Sequence, residues 1–274
     1  MKLRCGRFEL SLERPLVMGV VNVTPDSFSD GGRFLAPADA IERACAMVGE
    51  GAALVDIGAE SSRPGAAPVS EAEELRRLLP VLEGLRALTV PVSVDTRRPA
   101  VMRAALEAGA SMINDIQALG AAGALEAVAA SDCAVCLMHK KGEPATMQQD
   151  PRYADVVTEV RDDLGRRIAA CEAAGIARDR IVADPGFGFG KTVDHNLSLL
   201  KRLPELGALG VPLVAGWSRK ASLGRITGRA SGERLAGSLA AALLALVGGA
   251  RILRVHDVKD TVDIVLVWDA WRKA

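Results

Sequence analysis

"PLVMGVVNVTPDSFSDGG", residues 15–32, separates two fold classes that share βα repeats. Its first half is a continuous apolar run that ends on Asn22 and Val23. A continuous run, unlike an alternating one, predicts a strand covered on both faces, as in a parallel sheet. The turn that follows has no GxGxxG spacing, which a doubly wound nucleotide-binding sheet carries after its first strand. It is instead a long polar loop with one aromatic, Phe28. Such a loop after a buried strand fits a barrel that binds a ligand under its βα-loops; a surface loop with an incidental aromatic is the plainer alternative.

The same arrangement recurs. Apolar runs at 53–60, 90–96, 112–116, 134–139, 181–186, 212–218 and 251–257 bring the strand count to eight. Helix-period segments lie between them, at about 37–51, 70–88, 99–109, 121–131, 151–174, 193–206, 232–248 and 258–273. Ser70 with Glu73 has capping-box spacing, Thr192, Ser231 and Asp257 stand at helix starts, and Pro80 is expected to kink its helix. Eight such units in 274 residues predict an α/β fold, a (β/α)8 TIM barrel, with residues 3–12 as a short N-terminal β-hairpin plugging one end. No compositional break divides the chain, so residues 1–274 are expected to form a single domain.

Composition narrows the function classes. Lys plus Arg balances Asp plus Glu, at 34 each, so no global field favours nucleic acid or an anionic membrane. No run is long and apolar enough for a signal peptide or a membrane span, which makes a cytoplasmic protein the expectation. Cys133 and Cys136 form a CxxC, but no second pair completes a zinc set, and the five cysteines are expected to be buried free thiols.

Polar residues gather where the strands end: Asn22, Glu60, Asp95, Asn114, His139, Asp184, Lys220, Arg254 and His256. In this fold they would ring one mouth, the place where active sites are built. Arg63 follows the second strand, while Arg254 and His256 alternate onto one face of the eighth. Two guanidiniums and an imidazole suit a phosphate or pyrophosphate, although each taken singly reads as an ion pair. Asn22 offers a neutral oxygen, and beside a pyrophosphate the fitting cation is Mg²⁺, held mostly by phosphate oxygens and water. Asp95, Asn114 and Asp184 suit the N–H edge of a polar heterocycle, with Lys220 opposite; the alternative is a buried charge network. "DPGFGFGK", 184–191, brings Phe187 and Phe189 to a glycine-spaced turn where one ring can face a planar ligand and the other can pack beneath. The basic "HKKG" at 139–142 reads as a solvated tip or an aid to anion capture. Trp217 has no role at this level.

The ordered set "MGVVNVTPDSFSDGG", "DIGAESSRPG", "VSVDT", "IND", "DPGFGFGK", "SRKAS" and "RVHDV" resembles the dihydropteroate synthase family of pterin-binding barrels over nearly the whole chain. The resemblance implies condensation of 6-hydroxymethyl-7,8-dihydropterin pyrophosphate with 4-aminobenzoate to 7,8-dihydropteroate, with pyrophosphate released and Mg²⁺ assisting. It assigns the pterin to Asp95, Asn114, Asp184 and Lys220, with Met138 and Phe189 as walls. Pyrophosphate and metal fall to Asn22, Arg63, Arg254 and His256. The aminobenzoate falls to Phe28, Ser62, Pro64, Phe189 and Lys220. Arg63, Lys220, Arg254 and His256 are the implied catalytic set, and a homodimer is implied as well. Ser62 and Ala221 depart from the family pattern, and Ala221 removes a side-chain hydroxyl near the aminobenzoate carboxylate. A pterin-binding methyltransferase-type barrel and a non-catalytic pterin-binding paralogue are the alternatives. The pyrophosphate residues and the intact first two loops favour the synthase.

Overall fold

The computed structural model describes residues 1–24, 36–60, 69–143 and 146–274. A hairpin of β1 (Lys2–Cys5) and β2 (Phe8–Ser11) comes first. Eight parallel strands follow: β3 (Leu16–Asn22), β4 (Leu54–Gly58), β5 (Val92–Asp95), β6 (Met112–Asp115), β7 (Ala134–Met138), β8 (Ile181–Asp184), β9 (Val214–Ala215) and β10 (Ile252–Val255). Their order is β8-β7-β6-β5-β4-β3-β10-β9, and a parallel bridge between Ala183 and Leu213 joins the two ends into a barrel.

Period-two alternation divides the strand residues between two cores. Val21, Val55, Ile57, Val94, Ile113, Val135, Ala183 and Leu253 face outward, beneath the helices. Met18, Leu54, Met112, Val182, Val214 and Ile252 face inward near the strand starts, where Leu3, Cys5 and Leu12 of the hairpin segment join them. The hairpin therefore plugs that end, as expected. Each large side chain buried there contributes about 1.5–3 kcal/mol relative to exposure.

The outer helices are α1 (Pro37–Gly49), α2 (Glu71–Gly84), α3 (Pro99–Glu107), α4 (Ala124–Ala129), α5 (Val156–Ala173), α6 (Val193–Lys201), α7 (Ala221–Thr227), α8 (Leu235–Val247) and α9 (Val258–Trp271). The helix expected over 193–206 ends at Lys201, because Pro204 brings no N–H and the chain continues as a 3₁₀ segment, Leu203–Leu209. α7 was not foreseen. Thr192 caps α6, taking the His195 N–H at 3.1 Å. Ser231 does not cap α8; it lies in a separate 3₁₀ turn, Ser231–Glu233. Asp257 stands at the start of α9, but its carboxylate takes Arg219 at 2.6 Å instead of a helix N–H. Ser70 accepts the Glu73 N–H, and α2 runs through Pro80.

All five cysteines are free, and Cys5, Cys133, Cys136 and Cys171 are buried. Cys45 is exposed, contrary to expectation, because α1 turns that position away from the barrel. Burial pushes the Cys136 thiol well above its ordinary pKa and keeps it protonated.

Candidate active site

The strand ends converge on an ion-pair cluster with Arg254 at its centre. Arg254 lies on β10 and points into the barrel. Its Nε donates to Asp56 Oδ2 at 2.7 Å and its Nη2 to Asp95 Oδ2 at 2.8 Å. Asn114 Nδ2 donates to the same Asp56 oxygen at 3.0 Å. Asp56 was missed by sequence reasoning: it lies within β4, fully buried, and only its even spacing with Gly58 marks it as inward-facing. Its second oxygen, Oδ1, has no hydrogen-bond partner among the described residues. Burial, with Asp56 and Asp115 nearby, pushes the Asp95 carboxyl up to about 7 against the pull of Arg254. Burial disfavours the Arg254 charge, but Asp56 and Asp95 outweigh it, so its pKa is raised.

Asp184 ends β8 next to this cluster. Gly216 lies between the two: a Cβ there would stand 3.8 Å from Asp184 Oδ2 and 4.0 Å from Arg254 Cβ. Burial raises the Asp184 pKa, while the Gly186 N–H, donated to its Oδ1 at 2.7 Å, and the Lys220 and Arg254 charges oppose the rise. Lys220 precedes α7, crosses over Gly188 and holds its ammonium 4.1 Å from the centre of the Phe189 ring. That cation–π contact fixes both groups at the mouth. Met138 pairs in register with Asp184 and is buried. The turn after β8 crosses the chain after β7 so closely that side chains are excluded. A Cβ on Gly186, at φ +68°, would lie 1.8 Å from His139 O, and one on Gly190, at φ +64°, 2.1 Å from Lys141 O.

His256 follows β10, with Nδ1 3.0 Å from Ser218 Oγ. A hydroxyl that donates to Nδ1 leaves the ring proton on Nε2. Asn22 ends β3, and its Oδ1 would be 3.7 Å from a Cβ on Gly58, with Asp95 Oδ2 at 3.9 Å from the same point. A neutral oxygen beside a carboxylate suits a hard cation such as Mg²⁺ that keeps most of its other ligands as water or phosphate. Among the described residues no group of three or more His, Cys, Asp or Glu could hold a metal ion.

Two residues expected at the rim have other tasks. Glu60 accepts from Arg97 and Arg98 and from the Val69 N–H, which ties it to the frame of α2 and α3. His139 is buried against Lys191. Lys140 and Lys141 are paired with Glu143 and Glu159, so the basic stretch is not a free tip. Phe187 packs beneath the turn on Trp217, ring centres 4.9 Å apart, which gives Trp217 a place in the core. Phe28, Ser62, Arg63 and Pro64 lie outside the described residues.

Comparison with known proteins places this geometry in a context. The family described as pterin binding enzyme matches residues 18–256. The chain is 49% identical over 271 residues to a dihydropteroate synthase of Escherichia coli strain K12, covering 98% of this chain and 96% of the relative. A dihydropteroate synthase of Xanthomonas albilineans, solved with 4-aminobenzoic acid, superposes with a TM-score of 0.94 at 53% identity, covering 100% of this chain and 98% of that one. A Burkholderia cenocepacia dihydropteroate synthase complexed with 7,8-dihydropteroate superposes with a TM-score of 0.90 at 51% identity, covering 99% and 96%.

Proposed function

Since the chain belongs to the dihydropteroate synthase family of pterin-binding barrels and carries out its condensation of a pterin pyrophosphate with 4-aminobenzoate, we propose how its own residues perform that reaction. The observation that carries the reading is the buried cluster of Asp56, Asp95, Asn114, Asp184 and Arg254 under Lys220 and Phe189, at the mouth of one barrel. Residues 1–274 are proposed to form one domain around this mouth.

The pterin binds with its N–H edge toward Asp95, Asn114 and Asp184, between Met138 and the Phe189 ring. Carboxylates and a side-chain amide in a water-poor pocket pair with N–H donors that an apolar wall would reject. Lys220 faces the carbonyl and ring-nitrogen side. Arg254, His256 and Arg63 take the pyrophosphate, with Asn22 the protein's contribution to Mg²⁺. Bound there, the ion would supply positive charge to the pyrophosphate oxygens. The aminobenzoate lies outermost, against Phe28, Ser62, Pro64, Phe189 and Lys220, and with Ala221 its carboxylate has only backbone to meet at that position.

Substitution occurs at the exocyclic methylene. The C–O bond to pyrophosphate breaks, and its electron pair leaves with the phosphate oxygen. Arg254 and His256 stabilise that charge, and Asp56 holds the guanidinium aimed as it develops. The pterin ring donates electron density to the methylene cation. The aminobenzoate nitrogen then forms the C–N bond, and its proton passes to the released pyrophosphate or to solvent. A dry mouth protects the cation from hydrolysis.

The same chain is proposed to be a cytoplasmic homodimer without nucleic-acid or membrane partners. No described helix is long and apolar enough to cross a membrane. A dimer is supported by exposed apolar residues on two neighbouring helices: Leu243, Leu244 and Val247 of α8, and Leu266, Val267 and Trp271 of α9. The test of the reaction follows pyrophosphate release with and without 4-aminobenzoate. Release coupled to dihydropteroate formation, and lost in Arg254→Ala, is expected. Pterin binding without product would overturn the reading.

A further inference from the structure

A charged side chain lies fully inside this protein without touching the mouth. Lys191 is 2% exposed, at the end of the turn that begins with Asp184. Its ammonium lies 2.9 Å from His139 Nδ1, 3.0 Å from Gly186 O, 3.1 Å from Phe189 O and 3.4 Å from His139 O. Burial pulls the Lys191 pKa down to about 7, against the pull of Asp184, and the ammonium is kept only where acceptors meet its protons: here three protons meet four acceptors. Those acceptors belong to the two stretches of chain that Gly186 and Gly190 allow to cross in contact. The lysine sits at the crossing.

We propose that Lys191 is a positioning residue for the pterin: its ammonium gathers the 186–189 turn onto His139, and so aims the Asp184 carboxylate and the Phe189 ring into the pocket. The proposal rests on the assignment of those two groups to the pterin. Several other bonds shape the same turn. The Gly186 N–H donates to Asp184 Oδ1, so the residue whose carbonyl Lys191 holds also binds the carboxylate through its own N–H. Asn196 Oδ1 accepts the Gly188 N–H at 2.8 Å, Gln148 Nε2 donates to Gly188 O, and the Tyr153 hydroxyl donates to Gly190 O at 2.9 Å. Lys191 differs from these in binding both crossing segments at once. His139 suits the part of acceptor: burial and the neighbouring ammonium depress its pKa to about 3, so its ring is neutral. A neutral ring with Nδ1 accepting carries its proton on Nε2.

The test is Lys191→Met in the full chain, with 6-hydroxymethylpterin and inorganic pyrophosphate titrated separately. Pterin affinity is expected to fall at least tenfold, while pyrophosphate affinity, assigned to Arg254, His256 and Arg63, none of which Lys191 bonds, stays within twofold. His139→Asn retains an acceptor in the place of Nδ1 and is expected to remain within threefold of wild type for pterin; His139→Leu is expected to show the same selective loss as Lys191→Met. Unchanged pterin affinity, or a parallel loss of both ligands, would overturn the proposal. If Lys191→Met does not fold, the His139 pair decides: equal affinities in the Asn and Leu variants would overturn it. Asp184→Asn on the same titration separates the two levels. A loss there with none in Lys191→Met refutes the tether alone, and no loss in either refutes the pterin assignment with it.

Discussion

Arg254 illustrates what a single residue's surroundings decide. Its sequence position beside His256 pointed to an anion, yet its guanidinium is held by two carboxylates, Asp56 and Asp95. An arginine pinned in this way is aimed before the substrate arrives, which lowers the reorganisation cost of stabilising a developing charge. Asp56→Asn keeps the shape but removes one of the charges that hold it. Breaking a buried pair costs about 3 kcal/mol, so the variant is expected to melt roughly 5 °C lower or more and to lose at least about tenfold in kcat/KM. Thermal melting and steady-state rates check both. Asp95 gives a pH prediction. Its carboxyl titrates at about 7 in the folded chain, against an ordinary value of 3.8. A raised carboxyl pKa contributes stability below the unfolded value and loses it as pH rises toward 7. Pterin recognition runs the other way, because the ionised form accepts N–H donors. Affinity for the pterin is therefore expected to fall by up to about tenfold per unit as pH drops below 7, and titration calorimetry from pH 5.5 to 8.5 would show the break. Asp56 and Lys191 could not be found in the sequence as Asp95 or Asp184 could. Asp56 lies within its strand, away from the mouth-facing end, and the Lys191–His139 contact spans 52 residues with no local pattern.

Among the secondary-structure elements, parity carried the reading. Continuous apolar runs gave the barrel strands, and counting by twos along β10 brought Arg254 and His256 to one side. Helix ends were harder, since they turn on local competition. Pro204 cut one helix short, and Asp257 spent its carboxylate on Arg219 rather than on α9. The β8–α6 turn depends on glycine for a reason that spacing alone could not show, the close passage of the chain after β7. Gly186→Ala places a Cβ 1.8 Å from a backbone oxygen that cannot move aside. It is expected to lower the melting temperature by more than 8 °C, on the order of 3 kcal/mol or above, and to weaken pterin binding. Gly175→Ala is the control. It has a similar positive φ of +87° but nothing within 4 Å, so it is expected to cost about 1 kcal/mol and leave binding intact. Equal losses in the two variants would show that backbone conformation, not the crossing, dominates.

At the scale of the whole molecule, apolar surface is distributed unevenly. The formal net charge is zero, and the exposed apolar residues of α8 and α9 form one face on two neighbouring helices. Large apolar patches on a soluble protein mark contact surfaces. Leu244→Glu with Val267→Glu is expected to convert a dimer to a monomer without unfolding the barrel, which light scattering alongside circular dichroism would detect; an unchanged mass would place any dimer contact elsewhere. The barrel as a whole was evident from the sequence because eight repeats of one pattern in 274 residues leave few other architectures. The apolar face was not, because exposure of a helix's far side emerges only once its near side has packed. The plugged end has a practical bearing of its own. Leu3, Cys5 and Leu12 close the barrel opposite its mouth, and the exposed Met1 lies beside them. A chain anchored to a sensor chip through its first residue would thus stand with the binding well turned toward the flowing solution, and would report ligand capture without the support obstructing it.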